Sequence, residues 1–132
     1  MIFPDKYEEE LLLFFSGRPG AAALYEALFD KISEAFPDTE VKIQKSQISF
    51  KARYGYAFVS LKKMKGCPEI FIILSFGLDR RIDSPRIAVA VEPYPRRWTH
   101  HVIISSNEQL DDELMGWLRR ALPWSRSSSS KK

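Results

Sequence analysis

Hydrophobic and polar positions follow two rhythms along this chain. Between residue 19 or 21 and residue 36, Leu24, Leu28, Ile32 and Phe36 recur at every fourth position, and Tyr25 and Phe29 widen the stripe. That spacing predicts an amphipathic helix, ended by Pro37-Asp38. Residues 8–15 have helical composition behind Pro4-Asp5. Asp5 is a candidate cap, and Glu8, Glu9 and Glu10 suit the positive end of a helix dipole. Ser16-Gly17-Arg18-Pro19-Gly20 separates the two helices. The middle of the chain alternates with period two. Val41 and Ile43 alternate with Lys42 and Gln44, and Ile48 and Phe50 with Ser49 and Lys51. In residues 56–61, Ala57, Val59 and Leu61 fall on one face and Tyr56, Phe58 and Ser60 on the other. Residues 70–76 are nearly continuously apolar, which predicts a central strand covered on both faces. Residues 87–91 and 99–105 read as strands, with a turn over 93–97 between them. The helical period returns in Leu110, Leu114, Trp117, Leu118 and Ala121, behind a Ser106/Gln109 capping box and before Pro123, which is expected to stop the helix.

This order of helices, strands and a helix predicts an α+β fold. Its sheet should be mostly antiparallel, of about five strands, with the N-terminal helices and the C-terminal helix packed on one face. The other face is then partly open, a natural place for a site. Residues 1–124 form one expected domain, and 125–132 a disordered Ser/Lys-rich tail. The single cysteine, Cys67, excludes an intramolecular disulfide and fits a reducing compartment. With no targeting segment and no apolar run near the roughly 20 residues of a membrane span, the expectation is a cytoplasmic protein without a membrane partner. A monomer or small homo-oligomer is expected.

Charge changes the picture more than composition does. Residues 1–40 hold 3 bases and 9 acids, residues 41–101 hold 12 bases and 4 acids, and residues 102–124 hold 2 bases and 4 acids. The runs of −6, +8 and −2 cancel, and the overall +3 resides in the tail. A basic middle segment can mark an anionic partner. Alternatively, acidic helices and basic strands neutralise one another within the monomer.

Several ordered motifs resemble a known family. They are Gly17-Arg18-Pro19-Gly20 with Ala23-Leu24-Tyr25, Ser46-Gln47-Ile48-Ser49-Phe50-Lys51, Asp83-Ser84-Pro85-Arg86-Ile87, Val91-Glu92-Pro93 leading into Arg97-Trp98-Thr99-His100-His101, and Asp112-Glu113-Leu114 with Trp117-Leu118. Together they resemble the bacterial domain-of-unknown-function family 5655 over residues 7–122. The resemblance implies a compact α+β domain and supplies no catalytic residues. It also implies a glycine near position 96, where this chain has Pro95-Arg96-Arg97. The helix–sheet–helix order is more distantly similar to the YdhG-like proteins, some described as frataxin-like iron chaperones.

The candidate chemistry is anion recognition. Arg80, Arg81 and Arg86 surround Asp83, and Arg96 and Arg97 precede Trp98. Guanidinium groups grip carboxylates and phosphates through paired hydrogen bonds. Structural pairing of Asp83 with Arg80 or Arg86, and of Glu92 with Arg97, is the alternative. Adjacent His100 and His101 must point to opposite faces of a strand, so they cannot chelate one metal together. Either one is a candidate for ligand contact or proton transfer. Lys45 and Gln47, with Ser49, Lys51 and Arg53, add donors, and Tyr54, Tyr56 and Phe58 add aromatic surface. The expected ligand site therefore comprises Arg80, Arg81, Asp83, Arg86, Arg97, Trp98, His100, His101, Lys45 and Gln47. Its ligand would be a phosphorylated or carboxylated small molecule or a nucleic-acid backbone. No phosphate-cradling glycine loop, zincin motif, paired-cysteine site or nucleophile elbow occurs, so no cofactor, metal or catalytic group is implied. Two other readings remain open: an enzyme using a histidine as acid or base beside arginines, and a metal-handling or protein-interaction domain acting through the acidic first helix.

Overall fold

The computed structural model describes the backbone of residues 1–130 and the side chains of residues 1–123. Two helices come first, α1 (Tyr7–Phe14) and α2 (Pro19–Ala35). Six strands follow: β1 (Glu40–Ile43), β2 (Ile48–Lys51), β3 (Gly55–Ser60), β4 (Ile72–Leu78), β5 (Val89–Tyr94) and β6 (Arg97–Ile104). A 3₁₀ turn, Asn107–Gln109, leads to α3 (Asp112–Ser130). The strands form one sheet in the order β1-β2-β3-β4-β6-β5, every neighbouring pair antiparallel. The α+β expectation holds, with six strands where about five were expected. The least strand-like of them, β5, runs through Glu92-Pro93 instead of turning there. It lies at the sheet edge, where a proline's missing N–H disrupts no ladder.

The turn falls instead at Pro95-Arg96, between the paired residues Tyr94 and Arg97. Arg96 has φ +64°, the one described non-glycine residue in the left-handed region. A proline followed by a positive φ is a type II arrangement, which favours glycine at its second central position. The departure near position 96 thus coincides with a strained backbone.

Directly opposed residues share a face of the sheet. Val41, Phe50, Ala57, Val59, Ile72, Leu74, Phe76, Val102 and Ile104 lie on the face covered by helices and are buried. α3 packs on β3 and β4, α2 touches β4, and α1 meets β1. The predicted stripes do the covering. Leu24, Leu28 and Ile32 of α2, and Leu114, Trp117, Leu118 and Ala121 of α3, are all buried, each large aliphatic among them contributing roughly 1.5–3 kcal/mol. The α3 start differs in detail. Gln109 Oε1 accepts the Ser105 and Ser106 N–H groups at 2.6 and 3.0 Å, shaping the 3₁₀ turn. Asp111 Oδ1 then caps α3 by accepting the Leu114 N–H at 3.1 Å. Pro123 lies inside α3 and does not end it; a proline removes one intrahelical bond and the helix carries on beyond it. The expected tail over 125–132 falls on residues without described side chains, and 131–132 lie outside the described structure; the α3 backbone reaches Ser130.

Candidate functional site

Arg86 was expected to meet a ligand. Instead it ties the connection between β4 and β5 to the start of α3. One terminal nitrogen donates to both Asp111 carboxylate oxygens at 2.9 and 3.0 Å and to Glu113 at 2.8 Å, and the other donates to the Gln109 carbonyl at 2.6 Å. The guanidinium stands 5.5 Å over the Trp117 ring. Burial works against its charge, but the two carboxylates outweigh burial and raise its pKa above the ordinary arginine value. The Arg86 hydrogen bond in turn holds the Asp111 carboxyl below its usual range. The Asp83-Ser84-Pro85-Arg86 motif reads as a turn that aims this side chain. Ser84 Oγ accepts the Arg86 N–H at 3.2 Å, and the Ser84 carbonyl accepts the Ile87 N–H at 3.1 Å. Asp83 is exposed and pairs with neither Arg80 nor Arg86. Arg80 and Arg81 are exposed, Arg80 standing 3.8 Å from Asp79. Trp98 opposes Leu78, on the covered side.

The two histidines part company as their adjacency predicts. His100 faces the helices and is completely buried. Its Nε2 accepts the Ile82 N–H at 2.9 Å, so the neutral ring carries its proton on Nδ1. That Nδ1 is the one buried side-chain polar atom among the described residues without a hydrogen-bond partner. The ring stacks on Phe76 at 5.2 Å, Phe76 stacks on Trp117 at 5.9 Å, and Arg86 closes the column. Burial lowers the His100 pKa. The ring is fully enclosed on the covered face and is not brought together with His101.

His101 lies on the uncovered face, with Nδ1 2.6 Å from Ser75 Oγ on β4. Burial lowers its pKa as well, which favours the neutral ring. Around the pair on the same face lie Phe58 opposite Ser75, Ser49 opposite Phe58, and Val89 opposite His101. Thr99 and Arg97, two and four positions before His101 on β6, share that side. Phe58 folds back over Gly55, where a Cβ would stand 2.5 Å from its ring. Lys42 and Lys51 lie on this face at the β1–β2 side. The β3–β4 connection, with Lys62, Lys63 and Lys65, passes over the far end; a Cβ on Gly66 would be 3.9 Å from Ile103. Ile73 is accordingly buried on this side, as expected for a central strand covered on both faces.

Lys45 and Gln47 are not brought to this group. They belong to the β1–β2 turn, where Gln47 Nε2 donates to Gln44 Oε1 at 3.2 Å and Ser49 Oγ donates to the same oxygen at 3.3 Å. Tyr56 also leaves the expected aromatic surface. The β2–β3 register shifts between Phe50 and Lys51, and Tyr56 turns inward, its hydroxyl 2.6 Å from Thr39 Oγ1. Burial pushes its phenol up to about 12. Ser75, by contrast, was missed. Its signal was a lone hydroxyl in an otherwise apolar strand.

The ion pairs bear on where the charge goes. Arg86 bridges the basic segment to the acidic start of α3. Among the described residues, Lys42, Lys45, Lys51, Lys62, Lys63, Lys65 and Arg81 form no ion pair. A groove of about 500 Å³ lies between the α2 N-terminus and the β3–β4 connection, with Arg18 and Lys63 in its lining. None of the ten expected residues lines it. Among the described residues, no group of three or more His, Cys, Asp or Glu side chains could hold a metal, and no helix is long and apolar enough to cross a membrane.

Comparison with known proteins places this geometry within a family. A family model described as a domain of unknown function (DUF5655) matches residues 13–122. No curated protein and no solved structure matches.

Proposed function

The chain belongs to the DUF5655 family, whose description assigns no activity, and we propose that it is a binding module holding a phosphate-bearing anion on the uncovered face of its sheet. The observation that carries this reading is the unneutralised charge of the basic segment. Among the described residues seven of its cations form no ion pair, and two of these, Lys42 and Lys51, stand on the uncovered face, where Glu40 lies opposite Lys51 without pairing to it. Lys62, Lys63 and Lys65 border its end, and Arg97 lies on its β6 side. Between them sit the donors Ser75, Thr99 and His101. An anion on His101 Nε2 selects the tautomer protonated there, with Ser75 donating to Nδ1. Phe58 offers apolar contact to a base or sugar. The ligand residues of this reading are Arg97, His101, Ser75, Lys42 and Lys51; Arg86, His100 and Trp98 serve the fold. Cys67, a free thiol accepting the Met64 N–H at 3.3 Å, suits work in the cytoplasm.

The test is titration of the protein with a labelled single-stranded oligonucleotide and, separately, with a nucleotide and a sugar phosphate. Tight binding of the oligonucleotide alone identifies a nucleic-acid backbone; binding of a small phosphate identifies a metabolite. Either way, His101→Ala should weaken binding on the order of tenfold, about 1.4 kcal/mol. Lys51→Ala should lower the slope of log affinity against log salt by about one for an oligonucleotide. No binding in any arm, or variants indistinguishable from wild type, overturns the reading.

An acid–base role for His101 draws on the same Ser75 bond. It would want a carboxylate orienting the ring. Among the described residues no carboxylate hydrogen-bonds to either histidine, and Glu92 accepts the Arg96 N–H at 3.1 Å instead. Binding is the better-supported reading.

A further inference from the structure

The β4–β5 connection, residues 79–88, is fastened in two places of different chemistry. Its second half is held by the Arg86 guanidinium on Asp111, Glu113 and the Gln109 carbonyl. Its first half is held by the Ile82 N–H on His100 Nε2, at 2.9 Å, with the Ile82 side chain packed against the core. Histidine is a costly way to make the second fastening. Its Nδ1–H makes no well-formed hydrogen bond, with only the favourable influence of the Phe76 carbonyl, and a buried donor left unsatisfied typically costs about 1–3 kcal/mol. A side-chain amide could accept from the loop with no titration. What an imidazole adds is that its acceptor is a lone pair a proton can occupy.

We propose that His100 is an acid-operated latch: protonation of Nε2 removes the acceptor of the Ile82 N–H and releases residues 79–85, while Arg86 keeps residues 86–88 docked. The step is a simple proton addition. A solvent proton takes the Nε2 lone pair, the Ile82 N–H is left facing a new N–H, and the ring becomes a buried cation. One group partly compensates: the Phe76 backbone carbonyl favours the charged ring, but less than burial opposes it. The titratable and charged groups that act on the ring are Arg120 from α3, His101 beside it on β6, and Arg81 from the loop itself. All three disfavour a second positive charge. The Phe76 and Trp117 rings continue the stack and carry no charge. The charged ring therefore gains from loop opening, which admits water to it and moves Arg81 away.

The sign follows from linkage. His100 titrates below its ordinary value of 6.5 when the loop is docked, because burial opposes the cation. The docked state is at full strength above that value and weakens as pH falls through 6.5 toward the docked-state pKa. Arg86 follows a lower range, since the Asp111 carboxyl stays ionised below the usual carboxylate pKa. Acid should thus open the loop in two stages, first half before second.

The experiment is amide exchange followed by NMR from about pH 7.5 to about 4.5, corrected for intrinsic exchange, with the His100 ring resonance titrated in the same samples. Protection at Ile82 should fall at least tenfold with the midpoint of the His100 ring, while Ala88, whose N–H is accepted by the His101 carbonyl at 2.9 Å, and the β4 amides keep theirs. His100→Gln, whose amide oxygen can accept the same N–H without titrating, should hold Ile82 protected throughout. Two results overturn the latch: Ile82 protection unchanged while the His100 ring titrates, or Ile82 protection lost together with that of β4, which is global unfolding. Should His100→Gln fail to fold, the wild-type comparison of Ile82 with Ala88 still decides.

Discussion

His100 and His101 are neighbours in the chain and belong to different chemical worlds. His100 is enclosed by Phe76, Trp117 and the β4–β5 connection and holds a backbone N–H in place. His101 lies on the uncovered face, bonded to Ser75, with a ring edge available to a ligand. The same contrast runs across the two faces of the sheet. The covered face is aromatic and aliphatic, closed by the helix stripes and riveted by Arg86. The uncovered face mixes hydroxyls, a histidine and cations that form no ion pair among the described residues, with Glu40 opposite Lys51. Arginine at position 86 is neutralised because α3 begins beside it, whereas Lys42 and Lys51 face away from every acidic helix. What matters for a cation here is which side of a strand it stands on.

The largest effect should come from the covered face. Phe76→Ala removes a fully buried ring from the His100–Trp117 column and should cost about 3–5 kcal/mol in urea unfolding. Phe58→Ala, across the sheet, should cost well under half of that, because its ring is partly exposed. Equal losses would break the distinction between the faces. Next comes Arg86→Ala, expected to cost about 2–3 kcal/mol at neutral pH, since it strands two carboxylates and the Gln109 carbonyl. Arg86→Lys should recover only part of that loss, because an ammonium cannot span those acceptors and stack on Trp117 together. Lys51→Ala, tested alongside, should stay within about 0.5 kcal/mol of wild type. The smallest change is a gain. Arg96→Gly relieves the positive φ in the β5–β6 turn and should add about 0.5–1 kcal/mol, seen as a higher urea midpoint with an unchanged slope. A loss there would mean that the Arg96 side chain contributes more than its backbone costs.

Much of this architecture is written in local patterns. The four-residue recurrence in α2 and the Leu114–Trp117–Leu118–Ala121 stripe identified helices and their buried sides, because periodicity needs only the geometry of one element. The opposed histidines followed from the pleat alone. The candidate site was legible in part. His101, Arg97 and the donors of β2 lie on the side expected to be open, and Arg86, His100 and Trp98 do not. Tyr56 was misplaced by one register shift, which inverts a side chain without altering the alternation that suggested it. Ser75 escaped notice because its meaning depends on which residue of β6 lies opposite.

The amino-acid sequence by itself determined the elements, their buried stripes and the segregation of charge, since each depends on neighbours within a turn or a strand. Only the tertiary structure decided which charges are spent. Asp111 and Arg86 are 25 positions apart, Ser75 and His101 are 26 apart, and the Ile82 N–H reaches a ring 18 positions away. Pairings at such distances follow from strand order and helix placement, which no periodicity encodes, and they separate an arginine that holds the fold from a histidine left free to meet a ligand.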